Sequence, residues 1–312
     1  MVMDALVNIS RHLFLIATTL LMPALIVGFI RKIKARLQNR IGAPIIQPLL
    51  DLIKLFRKTE TVSETASWIF RGSAAVNLAI AFVLSIFVPW ILPKPSIEPC
   101  DLFLLLYLLA GIRFLAILGS LDCASPFGAF AASREATLSF LVEPAAMLSL
   151  VALAVKAHSS DLNVIFSIQN LHPALWLLSG TAFLLSSLVE LSRMPIDDPT
   201  THLELTMVHE AMIIEASGRN LAVIELTQAL KLTLLFGISA QCYLHVCPLL
   251  HQWTQVQVAG ASIVSIFLVA GAVGVFESVA VKLNWRKAPE FIAYALTFSF
   301  LASMVALGTS TI

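Results

Sequence analysis

The chain has 312 residues, of which 58% are hydrophobic and 12% charged, with a formal net charge of +1. Its mean hydropathy of +0.89 lies far above the range of soluble domains and puts it in the membrane class. No stretch is left for a soluble domain of ordinary size; the net charge is silent on nucleic acid, and no basic stripe interleaved with aromatics points to one as a partner.

Eight apolar runs of helical length follow in order, at about 10–30, 72–93, 102–120, 136–156, 172–192, 221–243, 258–282 and 289–308. Helices are the expected form. Lipid satisfies no exposed backbone group, and no ten-residue alternation suggests a barrel. The first run is too long for a signal-peptide core and has no small-residue cleavage site before its basic flank, so it reads as a retained span. The expected fold is all-α: one polytopic membrane domain over residues 1–312.

Basic residues set the orientation. Fifteen of the 20 Lys and Arg fall in the loops of one side, three on the other, and Arg113 and Lys231 lie inside spans. Under the positive-inside rule the richer side is cytoplasmic and both termini lie outside, in a multi-pass protein of the inner (cytoplasmic) membrane. The inside loops are then 31–71, 121–135, 193–220 and 283–288. In the first of them, Ile45 to Phe56 places Leu49, Leu52, Ile53 and Phe56 on one side and Asp51 and Lys54 on the other, with Pro48 near the start, where a helix tolerates it. This predicts an amphipathic helix at the interface or against a partner. Composition alone favours the plainer of these, ordinary interfacial anchoring by a basic loop.

Charges inside the spans are the unusual feature. Arg113, Glu143, Glu190, Glu225, Lys231 and Glu277 would each cost several kcal/mol in lipid, so they must face a bundle interior or a wet cavity. Any one of them could be a structural ion pair or a snorkelling side chain. Six together predict an internal polar path on which surplus carboxylates carry protons. Glu135 stands at the mouth of the fourth span, about 80° around the helix from Glu143. Between spans five and six, Glu190 to Glu225 gathers Arg193, Asp197, Asp198, Glu204, Glu210, Glu215 and Arg219, a concentration of charge that needs water, a partner or another subunit to receive it.

Catalytic signals are weak. Cys100, Cys123, Cys242 and Cys247 show no ligand spacing and read as small hydrophobes. His202 and His209 are two helical turns apart but lack the HExxH pattern of a zinc site. Neither a nucleophile elbow nor a phosphate-binding glycine loop is present.

Four stretches carry a resemblance: QNRIGAPIIQPLLDLIKLF (Gln38 to Phe56), ASREA (Ala132 to Ala136), LVEPAAML (Leu141 to Leu148) and RMPIDDPTTHLELTMVHE (Arg193 to Glu210). In order, on eight spans, they resemble the respiratory complex I subunit 1 family, and within it the branch of formate hydrogenlyase subunit 4 and hydrogenase-4 component C, membrane anchors of membrane-bound NiFe hydrogenases and related complexes. The likeness covers nearly the whole chain.

The resemblance implies a non-catalytic coupling subunit between a peripheral electron-transfer arm and an antiporter-like membrane arm. Its partners would be a hydrogenase-like large subunit, an iron–sulfur small subunit and antiporter-like membrane subunits. The NiFe centre and iron–sulfur clusters would belong to those partners, with no cofactor or metal in this chain. The family's acidic loop is matched at Arg193, Pro195, Asp197, Glu204, Glu215, Ser217 and Gly218, and its buried acids at Glu135 and Glu143. The ion-coupling set is then Arg113, Glu135, Glu143, Glu190, Asp197, Asp198, Glu204, Glu210, Glu215, Glu225, Lys231 and Glu277. Partner docking falls to Arg36, Arg40, Lys54, Arg134, Arg193 and Arg219. Three departures separate the chain from quinone-reducing members: Gly42 runs almost directly to Gln47–Pro48 without a Gly/Pro-rich insert, Thr200–Thr201–His202 stands where they carry a Glu-rich run, and the stretch from Glu204 to Glu215 is longer than theirs. The loop also differs from that of formate hydrogenlyase, so a partner lacking nickel stays open. So do a quinone-site subunit of an NADH-quinone oxidoreductase and an independent ion transporter.

Overall fold

A computed structural model of the chain describes residues 2–91, 100–168, 171–197, 207–247 and 252–308, with the side chains of the first helix described from residue 14 onward. Its elements are α1 (Val2–Leu37), α2 (Gln47–Arg57), α3 (Trp68–Phe87), α4 (Leu102–Asp122), α5 (Pro126–Ala157), α6 (Leu162–Ile165), α7 (Pro173–Glu190), α8 (His209–Met212), α9 (Gly218–Leu244), α10 (Gln255–Val279) and α11 (Ala288–Gly308). Eight of these helices, α1, α3, α4, α5, α7, α9, α10 and α11, are long and apolar enough to span a bilayer. The expected all-α architecture is therefore present, and its spans fall where the apolar runs place them.

Composition decides which helices lie inside the bundle. α7 and α9 carry small and hydroxylated residues on several faces and are the most buried spans. α9 packs against α1, α2, α3, α7 and α10, while α5, α7 and α11 pack on one another. The outer helices turn side chains such as Tyr107, Phe140, Leu268 and Tyr294 outward, as lipid contact requires. Many hydroxyls within spans donate back to their own helix, as Ser186 Oγ does to the Ala182 carbonyl and Thr233 Oγ1 to the Ala229 carbonyl, and so add no unsatisfied group there; the buried Thr19 hydroxyl of α1 is an exception.

The 121–135 region differs from expectation. It is a tight turn at Cys123–Ser125 followed directly by helix, with Ser125 as N-cap and Pro126 in the first turn, where its missing N–H and fixed φ favour helix initiation. Glu135 is thus already almost three turns inside α5.

Close backbone crossings shape the face that carries most of the Lys and Arg, here called the basic face. The segment before α2 runs over α1 at Gly28, where a Cβ would overlap the Ile45 carbonyl oxygen. At the start of α9, Gly218 has φ +52, and a Cβ there would collide with the Thr59 carbonyl. Beside it, Ser217 Oγ donates to the Thr61 carbonyl at 2.6 Å and accepts from the Thr61 N–H at 2.9 Å. The Ser–Gly pair therefore fastens the α2–α3 connection onto the head of α9. The amphipathic helix appears as α2, close to its predicted bounds, with Leu50, Ile53 and Phe56 exposed.

Candidate functional site

The side chains that composition forbids in lipid assemble into two linked clusters. The deeper is a row across four helices. Glu143 of α5 lies 3.2 Å from Arg113 of α4. Arg113 also pairs with Glu190 at the end of α7. The other carboxylate oxygen of Glu190 lies 2.6 Å from Lys231 Nζ of α9, which donates as well to the Glu190 backbone carbonyl at 3.2 Å. Signs alternate along the row. Arg113, Glu190 and Lys231 are buried, as pairing permits, whereas the Glu143 side chain is half exposed on the outer wall of the bundle.

Glu135 is buried beside this row without a cation in contact among the described residues. Its carboxylate accepts instead from Ser192 Oγ at 3.2 Å. Ser192 follows α7 with φ +47, a left-handed conformation that glycine or asparagine adopts more easily. This turn sends the Ser192 hydroxyl toward Glu135 and the next residue, Arg193, toward a second cluster.

The second cluster lies beside the basic face. Arg193 Nη1 donates to Glu277 Oε1 of α10 at 2.9 Å, and Lys34 Nζ of α1 lies 3.1 Å from Oε2. Asp197 pairs with Lys282 at 2.8 Å through one oxygen and accepts the Val208 N–H at 2.8 Å through the other. Lys34, Arg193, Asp197 and Glu277 border a crevice of about 720 Å³ bounded by α1, α2, α9 and the α7–α9 connection, with Arg31, Asp51, Glu210, Glu225 and His209 also on its walls.

His209, the first residue of α8, is a member of this site that sequence reasoning set aside. Its ring stands between the crevice and a smaller pocket, and Gln228 Nε2 donates to its Nδ1 at 3.1 Å. Burial, and after it the Lys231 ammonium, push the imidazole down to about 4, with Asp197 acting the other way. The ring is therefore neutral at physiological pH. Its partial exposure is to the crevice. Only its position seven residues from His202 drew attention to it in the sequence, and that cue pointed to metal binding rather than to this partition.

The other expected residues divide by location. Arg36, Arg40, Lys54 and Arg219 are exposed on the basic face, and Glu215 is exposed near Cys123, whose thiol is pushed up by burial first and then by the Glu215 and Asp122 carboxylates. Arg134 is half-buried, its guanidinium 3.9 Å from the Phe130 ring centroid and 5.3 Å from that of Trp285. Arg193 points inward to Glu277 rather than out from the surface. Glu190 and Glu225, each near a span end, do not snorkel alike: Glu190 is locked in the row and Glu225 faces the crevice. Asp198 and Glu204 lie outside the described residues.

A family model described as NADH dehydrogenase matches residues 10–307. Hydrogenase-4 component C of Escherichia coli (strain K12) is 32% identical over 229 residues, covering 72% of this chain and 72% of its own length. Formate hydrogenlyase subunit 4 of the same organism is 28% identical over 294 residues, covering 89% of this chain and 92% of its own. Among solved structures, a chain of the membrane-bound sulfane sulfur reductase, an archaeal respiratory membrane complex, matches with a TM-score of 0.81 at 18% identity, covering 96% of this chain and 99% of that one. At that identity the likeness is one of fold.

Proposed function

The chain belongs to the NADH dehydrogenase family, that of complex I subunit 1, and from that premise we propose that it anchors a redox-active peripheral arm to the membrane and couples turnover there to ion movement through the bilayer. The observation that carries this reading is the join at Ser192–Arg193. One residue of that pair bonds the buried acid Glu135, and the next bonds Glu277 in the cluster beside the basic face. Displacement of the α7–α9 connection by a docked partner acts on both clusters through adjacent residues.

Glu135 is the acid of the row that can gain or lose a proton without breaking an ion pair. Glu143 gives the path its exit. A half-exposed carboxylate among Phe140, Met147 and Leu148 would cost several kcal/mol against lipid, so a neighbouring membrane subunit covers it. Antiporter-like subunits fit that place. The basic face is cytoplasmic, with both termini outside, in the inner membrane. It receives a hydrogenase-like large subunit and an iron–sulfur small subunit at Arg36, Arg40, Lys54 and Arg219. The kinship with hydrogenase-4 component C and formate hydrogenlyase subunit 4 supports a NiFe centre and iron–sulfur clusters in those partners.

The test is to assemble the complex with Glu135→Gln or Glu143→Gln and to measure redox turnover and ion translocation separately. Coupling predicts fewer ions moved per turnover in both variants. Wild-type ratios in both would remove the buried acids from the path.

A second reading rests on the crevice. Its volume of about 720 Å³ is that of a small-molecule site, with apolar residues from α1, α2 and α9 among nine charged groups on its walls. A quinone-site subunit would use it for the quinone head. Turnover that requires added quinone and is blocked by a competing quinone analogue would select this reading. Turnover with a soluble or proton acceptor alone would reject it.

A further inference from the structure

A small pocket lies between α3, α4 and α9, separated from the crevice by the His209 ring and the Gln228 amide, which border both spaces. It encloses about 50 Å³, room for a few water molecules. Much of its wall is apolar, and His209 and Gln228 stand at its boundary with the crevice, but the three hydroxyls inside share one property. Ser73 Oγ donates to the Phe70 carbonyl, Ser120 Oγ to the Gly128 carbonyl and Thr227 Oγ1 to the Val223 carbonyl, so each presents only lone pairs to the space. Asn77 is buried, and its Oδ1 has no hydrogen-bond partner. An acceptor buried without a partner loses its hydration and gains nothing in return. The pocket therefore calls for a donor that brings its own protons.

Its position gives that donor a role. Gln228 stands three residues before Lys231 on α9, so the two are neighbours on one helix face, and Ile112 of the pocket wall immediately precedes Arg113. The pocket thus lies beside the inner end of the Glu143–Arg113–Glu190–Lys231 row. α3 and α4 line it without any titratable side chain. The charged groups acting on the His209 ring are Lys231 of α9 and Asp197 of the α7–α9 connection.

We propose that this pocket is a hydrated side chamber, filled by water from the basic-face crevice past His209 and Gln228, and that its waters pass protons to and from the Lys231 end of the buried row. A proton enters the chamber as hydronium at the His209 end, and another leaves the same chain of waters at the Lys231 end for the Glu190 carboxylate, which it neutralises, so the waters end the transfer unchanged. His209 is a positioning residue here: its neutral ring keeps the partition polar without placing a repelling cation across it. The second half of this proposal rests on the coupling function argued above, whereas the presence of water does not.

The test uses the assembled complex in membrane vesicles. Ser73→Cys places a thiol in the chamber, and Ala116→Cys serves if that variant fails to assemble. Val76→Cys, on the lipid-facing side of α3, is the dry control. A small water-borne methanethiosulfonate reagent reacts with thiolate, which forms only where water reaches it, so chamber labelling should exceed the control by at least about tenfold above the background of the unsubstituted chain. Adding His209→Phe should return it toward control. A chamber cysteine as inert as Val76→Cys, in vesicles that retain redox turnover, overturns the proposal outright. Asn77→Leu, which removes the orphaned acceptor, tests the second half: a lowered ratio of ions moved per turnover supports it. A wild-type ratio in a labelled chamber removes it from the path. If the wild-type complex moves no ions, the coupling function fails while the labelling result still decides hydration.

Discussion

Two clusters of ion pairs occupy this bundle, with opposite surpluses. Among the described residues, the row through α4, α5, α7 and α9 holds three acids, counting Glu135, against two cations. The cluster beside the crevice holds two acids, Glu277 and Asp197, against three cations, Lys34, Arg193 and Lys282. Buried charge is tolerated in both because nearly every member has a partner. They differ in what happens when a partner leaves. Water in the crevice can replace one. At the Arg113–Glu190 centre of the row, a proton arriving at the carboxylate takes that part.

The largest effect that separates the two should come from Arg113→Leu. It strands Glu190 beside Lys231 alone and leaves Glu143 unpaired, at a cost of about 3–5 kcal/mol for a broken buried pair. Thermal unfolding of the detergent-solubilised complex reads this directly. Lys34→Leu makes the matching cut in the other cluster, where the buried Glu277 keeps Arg193, and should cost less, about 2 kcal/mol for one charge-assisted contact. Equal losses in the two variants would erase the distinction.

Next in size is a pH effect at the boundary between the clusters. His209 has an ordinary value near 6.5 and is held at about 4 in the folded chain. Below about pH 6.5 the unfolded chain therefore binds a proton that the folded chain refuses until about pH 4. The neutral ring's contribution to stability is complete above that upper limit and is lost as pH falls through the window. Melting temperature followed downward from neutral pH should drop less steeply in His209→Gln than in the wild type. Parallel curves would show that the ring is hydrated enough to titrate normally.

The smallest stability change, with the clearest functional signature, should come from Ser192→Gly. Glycine relieves a left-handed backbone while the hydrogen bond to Glu135 is lost, each worth about 1 kcal/mol, so the two nearly offset. Ion transfer per turnover should fall even so, because the only described contact from this turn to Glu135 has gone. Unchanged transfer would separate the two clusters functionally.

The spans were legible because twenty apolar residues in a row have few other uses, and the amphipathic α2 was legible from its periodicity. The start of α5 was missed because Ser125, Pro126 and Gly128 signal a turn and a helix start alike. That Arg113 and Lys231 are buried follows from their cost in lipid. Which acid each one meets depends on helix packing, which no local pattern encodes. Arg193 was expected on a docking surface because loop arginines usually face solvent, but the left-handed turn at Ser192 aims it at Glu277. The exposure of Glu143 was equally invisible, since periodicity places it on a helix face without saying what covers that face. His209 lacked any motif of its own, and its importance comes from the helices that close around it.

Asp197 holds the Lys282 ammonium with one oxygen and the Val208 amide with the other, so a single carboxylate bridges the two ends of the 198–206 segment and the chain beyond α10. Neutralising it would slacken both attachments in one event. Asp197 therefore acts as a two-armed clasp, tying the start of α8 and the chain just past α10 to one point.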